Sequence, residues 1–405
     1  MNDLTQCVVT PKVKLDGFDS LGVGVHRAST IVFESAEAYA TRGDRGDEGY
    51  TYGLYGTPTT RTLEAKITAL EGGLRTFLVP SGQAACSLAI LPLVKAGDKI
   101  LIADTAYPPV RDFADRDLTK FGIEVEYYDP TSLSDLEARI DERTRIVWCE
   151  SPGSTTMELQ DIPAIAAIAH RRGALVGCDN TWATPLNFKP LEHGADIVAE
   201  ALTKYFSGHS DVLMGSITVG SEDLVAPIKA TLGRYGIGVS PDDASMVLRG
   251  METMGVRLRH ASQAASVICD QFAQSRLVGS VLFPPRPECP GHDLWKRDFS
   301  GSSAVFSVIF TPEATPHVAD ALDVLNTFAI GASWGGTRSL MAPMPVKRFR
   351  TARPWTGEDL VLRISIGLEA LSDLQADVEA FLTRIARAAG TDLADDGNTV
   401  RLQQK

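Results

Sequence analysis

Lys204 stands in the run Asp196-Ile-Val-Ala-Glu-Ala-Leu-Thr203-Lys204-Tyr-Phe-Ser-Gly208-His209-Ser210, where an apolar, strand-like stretch gives way to a loop of small residues. A lysine so placed lies at the carboxyl edge of a sheet, where open α/β folds bind ligands. Its amine can form a Schiff base with a carbonyl cofactor such as pyridoxal phosphate; position alone equally fits a solvated surface lysine. Asp179 ends another apolar run, Ala174 to Cys178, and opens Asp179-Asn-Thr-Trp182. A carboxylate there can keep a pyridine nitrogen protonated, and it can also cap a turn or a helix. Asp179 and Lys204 occupy corresponding ends of consecutive strands. Pro80-Ser81-Gly82-Gln83-Ala84-Ala85 opens a small-residue helix whose first N–H groups suit a phosphate, with Gly82 allowing close approach. The Thr203 hydroxyl is a second phosphate candidate. Arg363 interrupts the apolar run from Leu362 to Ile366. A buried arginine needs an anion, which a structural carboxylate or a substrate α-carboxylate could supply.

Positioning these residues requires strands alternating with helices. Strands are predicted over 99–102, 125–128, 145–149, 174–178, 197–202 and 212–219, with helices between them such as 162–172. That alternation implies an α/β fold with a mostly parallel sheet covered on both faces. Leu63, Ile67 and Leu70 recur at helical spacing from Leu63 until Gly72-Gly73 stops them. A basic helical segment near Gly255 to Ala265 leads into a smaller α+β unit with strands over 304–309 and 361–366. The expected division is an arm over 1–60, a cofactor-binding α/β domain over 61–258 and a C-terminal domain over 259–405. The tail after Ala388 is polar and is expected to be loosely ordered.

Several segments resemble the Cys/Met-metabolism family of pyridoxal-phosphate enzymes, over roughly residues 50 to 385. The Thr203-Lys204-Tyr205-Phe206 and Gly208-His209-Ser210 segments resemble its cofactor-lysine signature, with Leu202 where a small residue is usual. The resemblance implies an aminotransferase-like fold of type I, Lys204 as Schiff-base lysine and Asp179 beneath the pyridine nitrogen. It implies Gly82, Gln83 and Thr203 at the phosphate, and Tyr107, in Asp104-Thr-Ala-Tyr107-Pro108, stacked on the ring. Ser333 and Trp334 would flank the substrate, and Arg363 would clamp its carboxylate. Tyr52 resembles the tyrosine of a Tyr-x-Arg segment that reaches a neighbouring subunit's phosphate, but Leu54 replaces the arginine. Leucine cannot make a charge-assisted bond to phosphate; Arg61 is the nearby substitute.

Glu150-Ser-Pro-Gly-Ser154, Gly291-His292-Asp-Leu-Trp295 and Ser333-Trp334-Gly335-Gly336 resemble the family's β-eliminating branch. The implied activity is carbon–sulfur lysis of L-cystathionine to L-homocysteine, pyruvate and ammonia, with Lys204 moving protons and Tyr107 and Tyr52 as possible assistants. The alternatives are γ-elimination or a broader cysteine-S-conjugate β-lyase on the same scaffold and, more remotely, a non-catalytic cofactor-binding regulator. A homotetramer with shared sites is implied as well.

Bulk properties agree. The 405 residues exceed one typical core, and 44% hydrophobic with 22% charged residues is ordinary for a globular enzyme. A net charge of −12 argues against nucleic acid or an anionic membrane as partner. No apolar stretch of about 20 residues appears, as a membrane-spanning helix would need, and no signal peptide is read at the N-terminus. The six cysteines (Cys7, Cys86, Cys149, Cys178, Cys269 and Cys289) form no C-x-x-C pair. Reduced thiols, a cytoplasmic location and no metal site are expected.

Overall fold

The predicted alternation produces a seven-stranded sheet in the computed structural model, which describes residues 17–391 apart from 19, 47 and 48. Cys7 and the tail beyond 391 lie outside the described residues. The strands are β1 (Arg75–Val79), β2 (Lys99–Ala103), β3 (Glu124–Tyr128), β4 (Thr144–Glu150), β5 (Leu175–Asp179), β6 (Ile197–Glu200) and β7 (Gly215–Val219). Their order is β1-β7-β6-β5-β4-β2-β3. All pairs are parallel except those made by β7, which runs against both β6 and β1. Residues on both sheet faces are apolar and buried, as a sheet covered twice requires. This is the fold class that the sequence predicts.

Local chemistry sets where elements begin and end. Helix α1 (Pro58–Glu71) starts five residues before the first apolar repeat at Leu63. Thr57 and Thr60 form a reciprocal capping box, and Pro58 takes the first turn, where its missing N–H is harmless. Gly72, in the left-handed conformation, ends the helix. β6 stops at Glu200 instead of Leu202 because the chain turns there, the Lys204 N–H donating to the Ala201 carbonyl at 3.0 Å. β7 likewise begins at Gly215, since Met214 is engaged with Thr203. Helix α2 (Gly82–Ile90) opens where expected, while β1 before it is a strand that the sequence reading did not predict. The described part of the arm carries a short helix, Ala36–Ala40, and two 3-10 turns, Arg42–Arg45 and Gly53–Tyr55, none with a buried residue.

The basic segment near Gly255 lies inside one helix, α3 (Pro241–Ala273), whose 33 residues span about 50 Å. Its first half packs with Leu63, Leu202, Tyr205 and Phe206; its second half joins the core beneath the second sheet. Residues 258 and 259, where the division was expected, both lie within it. The second sheet has the order β10-β11-β12-β9-β8, from β8 (Val278–Leu282), β9 (Val305–Phe310), β10 (Ala329–Ile330), β11 (Leu340–Pro345) and β12 (Leu360–Ser365). Helix α4 (Leu371–Ala388) backs it. On β12, Leu362 and Ile364 enter the core. Strand alternation therefore turns Arg363, between them, to the opposite face, toward the first unit.

Candidate active site

A cavity of about 220 Å³ lies at the carboxyl ends of β4, β5 and β6, closed on the far side by the second unit. Asp179 ends β5. Its Oδ1 accepts from the Thr181 N–H at 3.0 Å and the Thr181 hydroxyl at 2.6 Å, and its Oδ2 faces the Cys86 thiol at 3.4 Å. Burial raises the Asp179 pKa, opposed by the two Thr181 bonds, the Cys86 contact and the charge of Lys204. Thr181 Oγ1 also accepts the Ala201 N–H at 2.9 Å, so one hydroxyl ties the end of β5 to the turn carrying the lysine.

Lys204 reaches across to the second unit, its Nζ donating to Ser333 Oγ at 2.7 Å and lying 5.2 Å from the Trp334 ring centre. Burial, reinforced by the positive charge of Arg363, depresses its pKa to about 8, so the amine loses its proton in the mildly alkaline range. The lysine loop is braced from behind. Arg257 of α3 donates to the Tyr205 carbonyl at 2.8 Å and occupies the space a side chain on Gly208 would need, where a Cβ would sit 1.9 Å from the guanidinium. Gly335, at φ +80°, lets the Ser333–Gly336 turn approach the Lys204 backbone.

Arg363 is only 8% exposed. It donates to the Ala332 carbonyl, and no carboxylate pairs with it among the described residues. Of the two anion sources that the sequence left open, the structural salt bridge is thus not present. A buried guanidinium left without a counter-ion costs several kcal/mol, on the order of the binding free energy of one substrate carboxylate. Tyr107 stands at the mouth, its N–H held by Glu150 Oε2 at 2.6 Å. Burial and the Glu150 charge raise the phenol pKa.

Gly82 and Gln83 line the cavity at the start of α2. Ser81 Oγ caps the Ala84 N–H and the Ser81 carbonyl takes that of Ala85, leaving the Gly82 and Gln83 N–H groups without an acceptor among the described residues. The Gln83 amide nitrogen donates to Ser87 and to the Pro109 carbonyl. The Thr203 hydroxyl is bonded to both Met214 backbone groups.

The structure thus brings together Lys204, Asp179, Tyr107, Gly82, Gln83, Thr203, Ser333, Trp334 and Arg363. Tyr52 is not among the residues lining its own chain's cavity and is 48% exposed. Leu54 contacts Gly238, and Arg61 donates to the Gly49 and Tyr55 carbonyls while stacking on Tyr50. Leu202, the other departure, is fully buried beside Leu63 and Leu78. Sequence reasoning missed Thr181 and Cys86 as partners of Asp179; the hydroxyl two residues after it was the available signal. It also missed Glu150 as the anchor of Tyr107.

These residues fit pyridoxal phosphate. A buried carboxylate, a lysine amine of depressed pKa and two free N–H groups at a helix start converge on one cavity. Comparison with known proteins agrees. The profile of the family described as Cys/Met metabolism PLP-dependent enzymes matches residues 5–383. A putative cystathionine β-lyase of Rhizobium johnstonii is 45% identical over 88% of this chain and 89% of its own. The cystathionine β-lyase of Escherichia coli is 36% identical over 94% of this chain and 98% of its own. The solved cystathionine γ-lyase of Lactobacillus plantarum, complexed with L-serine, superposes with a TM-score of 0.82 at 28% identity, over 91% of this chain and 94% of that one. The chain belongs to the Cys/Met-metabolism family of pyridoxal-phosphate-dependent enzymes.

Proposed function

We propose that this enzyme is a cystathionine β-lyase, converting L-cystathionine and water to L-homocysteine, pyruvate and ammonia. One observation carries the amino-acid chemistry: a partly uncharged lysine amine and a buried arginine without a counter-ion share one cavity. β- over γ-cleavage is supported by the names of the relatives and by the Glu150–Ser154 and Ser333–Gly336 segments, since a γ-lyase shares the fold.

Bound pyridoxal phosphate supplies the electron sink that stabilises negative charge at the substrate Cα. Lys204 would hold it, with Asp179 at its ring nitrogen, Tyr107 against the ring, and Gly82, Gln83 and Thr203 at its phosphate. Arg363 grips the substrate α-carboxylate and so fixes the Cα–H bond relative to Lys204. Ser333 orients the amine and Trp334 screens it from water. The freed Lys204 amine removes the Cα proton and returns a proton to the departing sulfur. Tyr107 would assist proton transfer from its own chain's cavity, and Tyr52 from a neighbouring subunit. An exposed tyrosine outside its own chain's cavity supports a homotetramer with shared sites.

Purified cofactor-bound protein given L-cystathionine should release pyruvate and L-homocysteine. Release of 2-oxobutanoate and cysteine instead would establish γ-cleavage, and the absence of either keto acid would overturn the lyase reading.

A further inference from the structure

Behind the active site, Glu71 and Glu200 meet in the interior. Glu200 is the last residue of β6 and Glu71 the last of α1; they are 1% and 0% exposed. Their carboxyl groups are in hydrogen-bonding contact. No protein donor reaches either oxygen of Glu71 or Oε2 of Glu200. Glu200 Oε1 accepts from Asn180 Nδ2 at 3.1 Å. Two carboxylates cannot hydrogen-bond without a proton between them, and two buried charges lacking a cation would cost far more than the contact returns. The carboxyl end of α1 adds its own negative dipole at Glu71, which further disfavours charge there.

The surroundings do not supply the missing cation. Lys189 acts on Glu71 from a distance but is paired with Glu192 at 3.4 Å. From β5 the facing groups are Asp179, whose negative charge opposes ionisation of Glu200, and the buried Cys178. β7 presents Ser216 opposite Glu200, uncharged. Burial and the negative charges of Glu71 and Asp179 accordingly hold the Glu200 pKa well above the ordinary range, so Glu200 keeps the proton and donates it to Glu71.

We propose that Glu71 and Glu200 share a proton, and that Glu200 so held is a positioning residue for the cofactor carboxylate Asp179. The path is short. Asn180, next to Asp179, spends one amide hydrogen on the Phe188 carbonyl at 2.9 Å and the other on Glu200. Ala201, next to Glu200, is tied through Thr181 to Asp179. The shared proton thus locks α1, β5 and β6 at the point from which both Asp179 and Lys204 project. The role rests on the cofactor assignment, not on which sulfur substrate is cleaved.

The pH dependence has a definite sign. The folded chain keeps a proton that free glutamates release near pH 4.3, so stability from this pair is fully present at acid pH. It is lost progressively as pH rises above the ordinary carboxylate range, where free glutamates have released their protons and the buried pair has not. One such proton lowers the folded-to-unfolded ratio about tenfold per pH unit across that window.

Glu200→Gln and Glu71→Gln test this, because an amide is a permanent donor to the remaining carboxylate and does not lose its proton. In cofactor-loaded protein, the thermal midpoint of the parent should fall from pH 6 to pH 8.5 more steeply than that of either glutamine variant. Glu200→Ala should alter the visible absorbance of the bound cofactor, and Glu200→Gln should restore it. A parent-minus-variant difference independent of pH in both glutamine variants would overturn the shared proton. A cofactor spectrum unchanged in Glu200→Ala would overturn the positioning role. Both readouts need no turnover, so they stand apart from the identity of the substrate.

Discussion

Two buried charge clusters, one around Asp104 and one around Lys204 and Arg363, are built on opposite plans. In one, Asp104, 1% exposed, accepts from Arg111 at 3.0 Å, Arg350 at 3.3 Å and the N–H groups of Thr351 and Arg353. Arg350 also pairs with Glu158 at 2.7 Å. Despite its burial, these bonds and Arg111 hold the Asp104 pKa below the ordinary carboxylate value. This cluster staples the loop after β2 to the second unit, and each of its arginines has a carboxylate. In the other, among the described residues, Lys204 hydrogen-bonds to a hydroxyl and Arg363 to a carbonyl, and neither is paired with a carboxylate. Matched buried charges are structural. Charges left short of partners are held for something that arrives from outside.

The sharpest break of this contrast is Lys204→Ala. Turnover should fall on the order of 10⁴-fold or more, since general acid–base catalysis and covalent attachment are lost together. The lysine-linked visible band should vanish while the fold survives, which absorbance and circular dichroism check together. Asp104→Ala should do the reverse. Removing the carboxylate leaves Arg111 and Arg350 buried without it and should cost about 3–5 kcal/mol of stability, read as a lowered denaturation midpoint. Any remaining folded protein should keep its cofactor spectrum.

Arg363→Met should weaken substrate use about 10–100-fold, mainly through KM, as expected for one charge-assisted carboxylate contact. It should also produce the smallest effect of the set, a shift of pH dependence. In the parent, kcat should rise with pH through about 8 as the Lys204 amine loses its proton. Arg363 helps to depress that pKa, so its removal should move the rising limb to higher pH. A limb that stays in place would mean that burial alone sets the amine.

What the sequence revealed follows the same division. Lys204 and Asp179 were legible because strand ends are local signals, and consecutive strands place them side by side. Arg363 was legible because charge inside an apolar run demands an explanation. The absence of a carboxylate beside it was not, because pairing is decided by residues far away in the chain. Asp104 and Arg350 are separated by 246 positions, and Glu71 meets Glu200 only once the chain between them has folded. The start of α1 was missed because capping by Thr57 and Thr60, not apolar periodicity, decides it. The continuous helix α3 was read only in part because its Gly255 to Ala265 segment looks like a change of region.

That helix has a mechanical consequence. α3 carries Arg257, which grips the lysine loop through the Tyr205 carbonyl, and its distal half is embedded in the core under β8 and β9. A rod of this kind transmits tilt without bending. Any rocking of the second unit, which bears Arg363 and Ser333, would therefore be felt as torque at the root of Lys204, so that carboxylate clamp and amine travel as one lever.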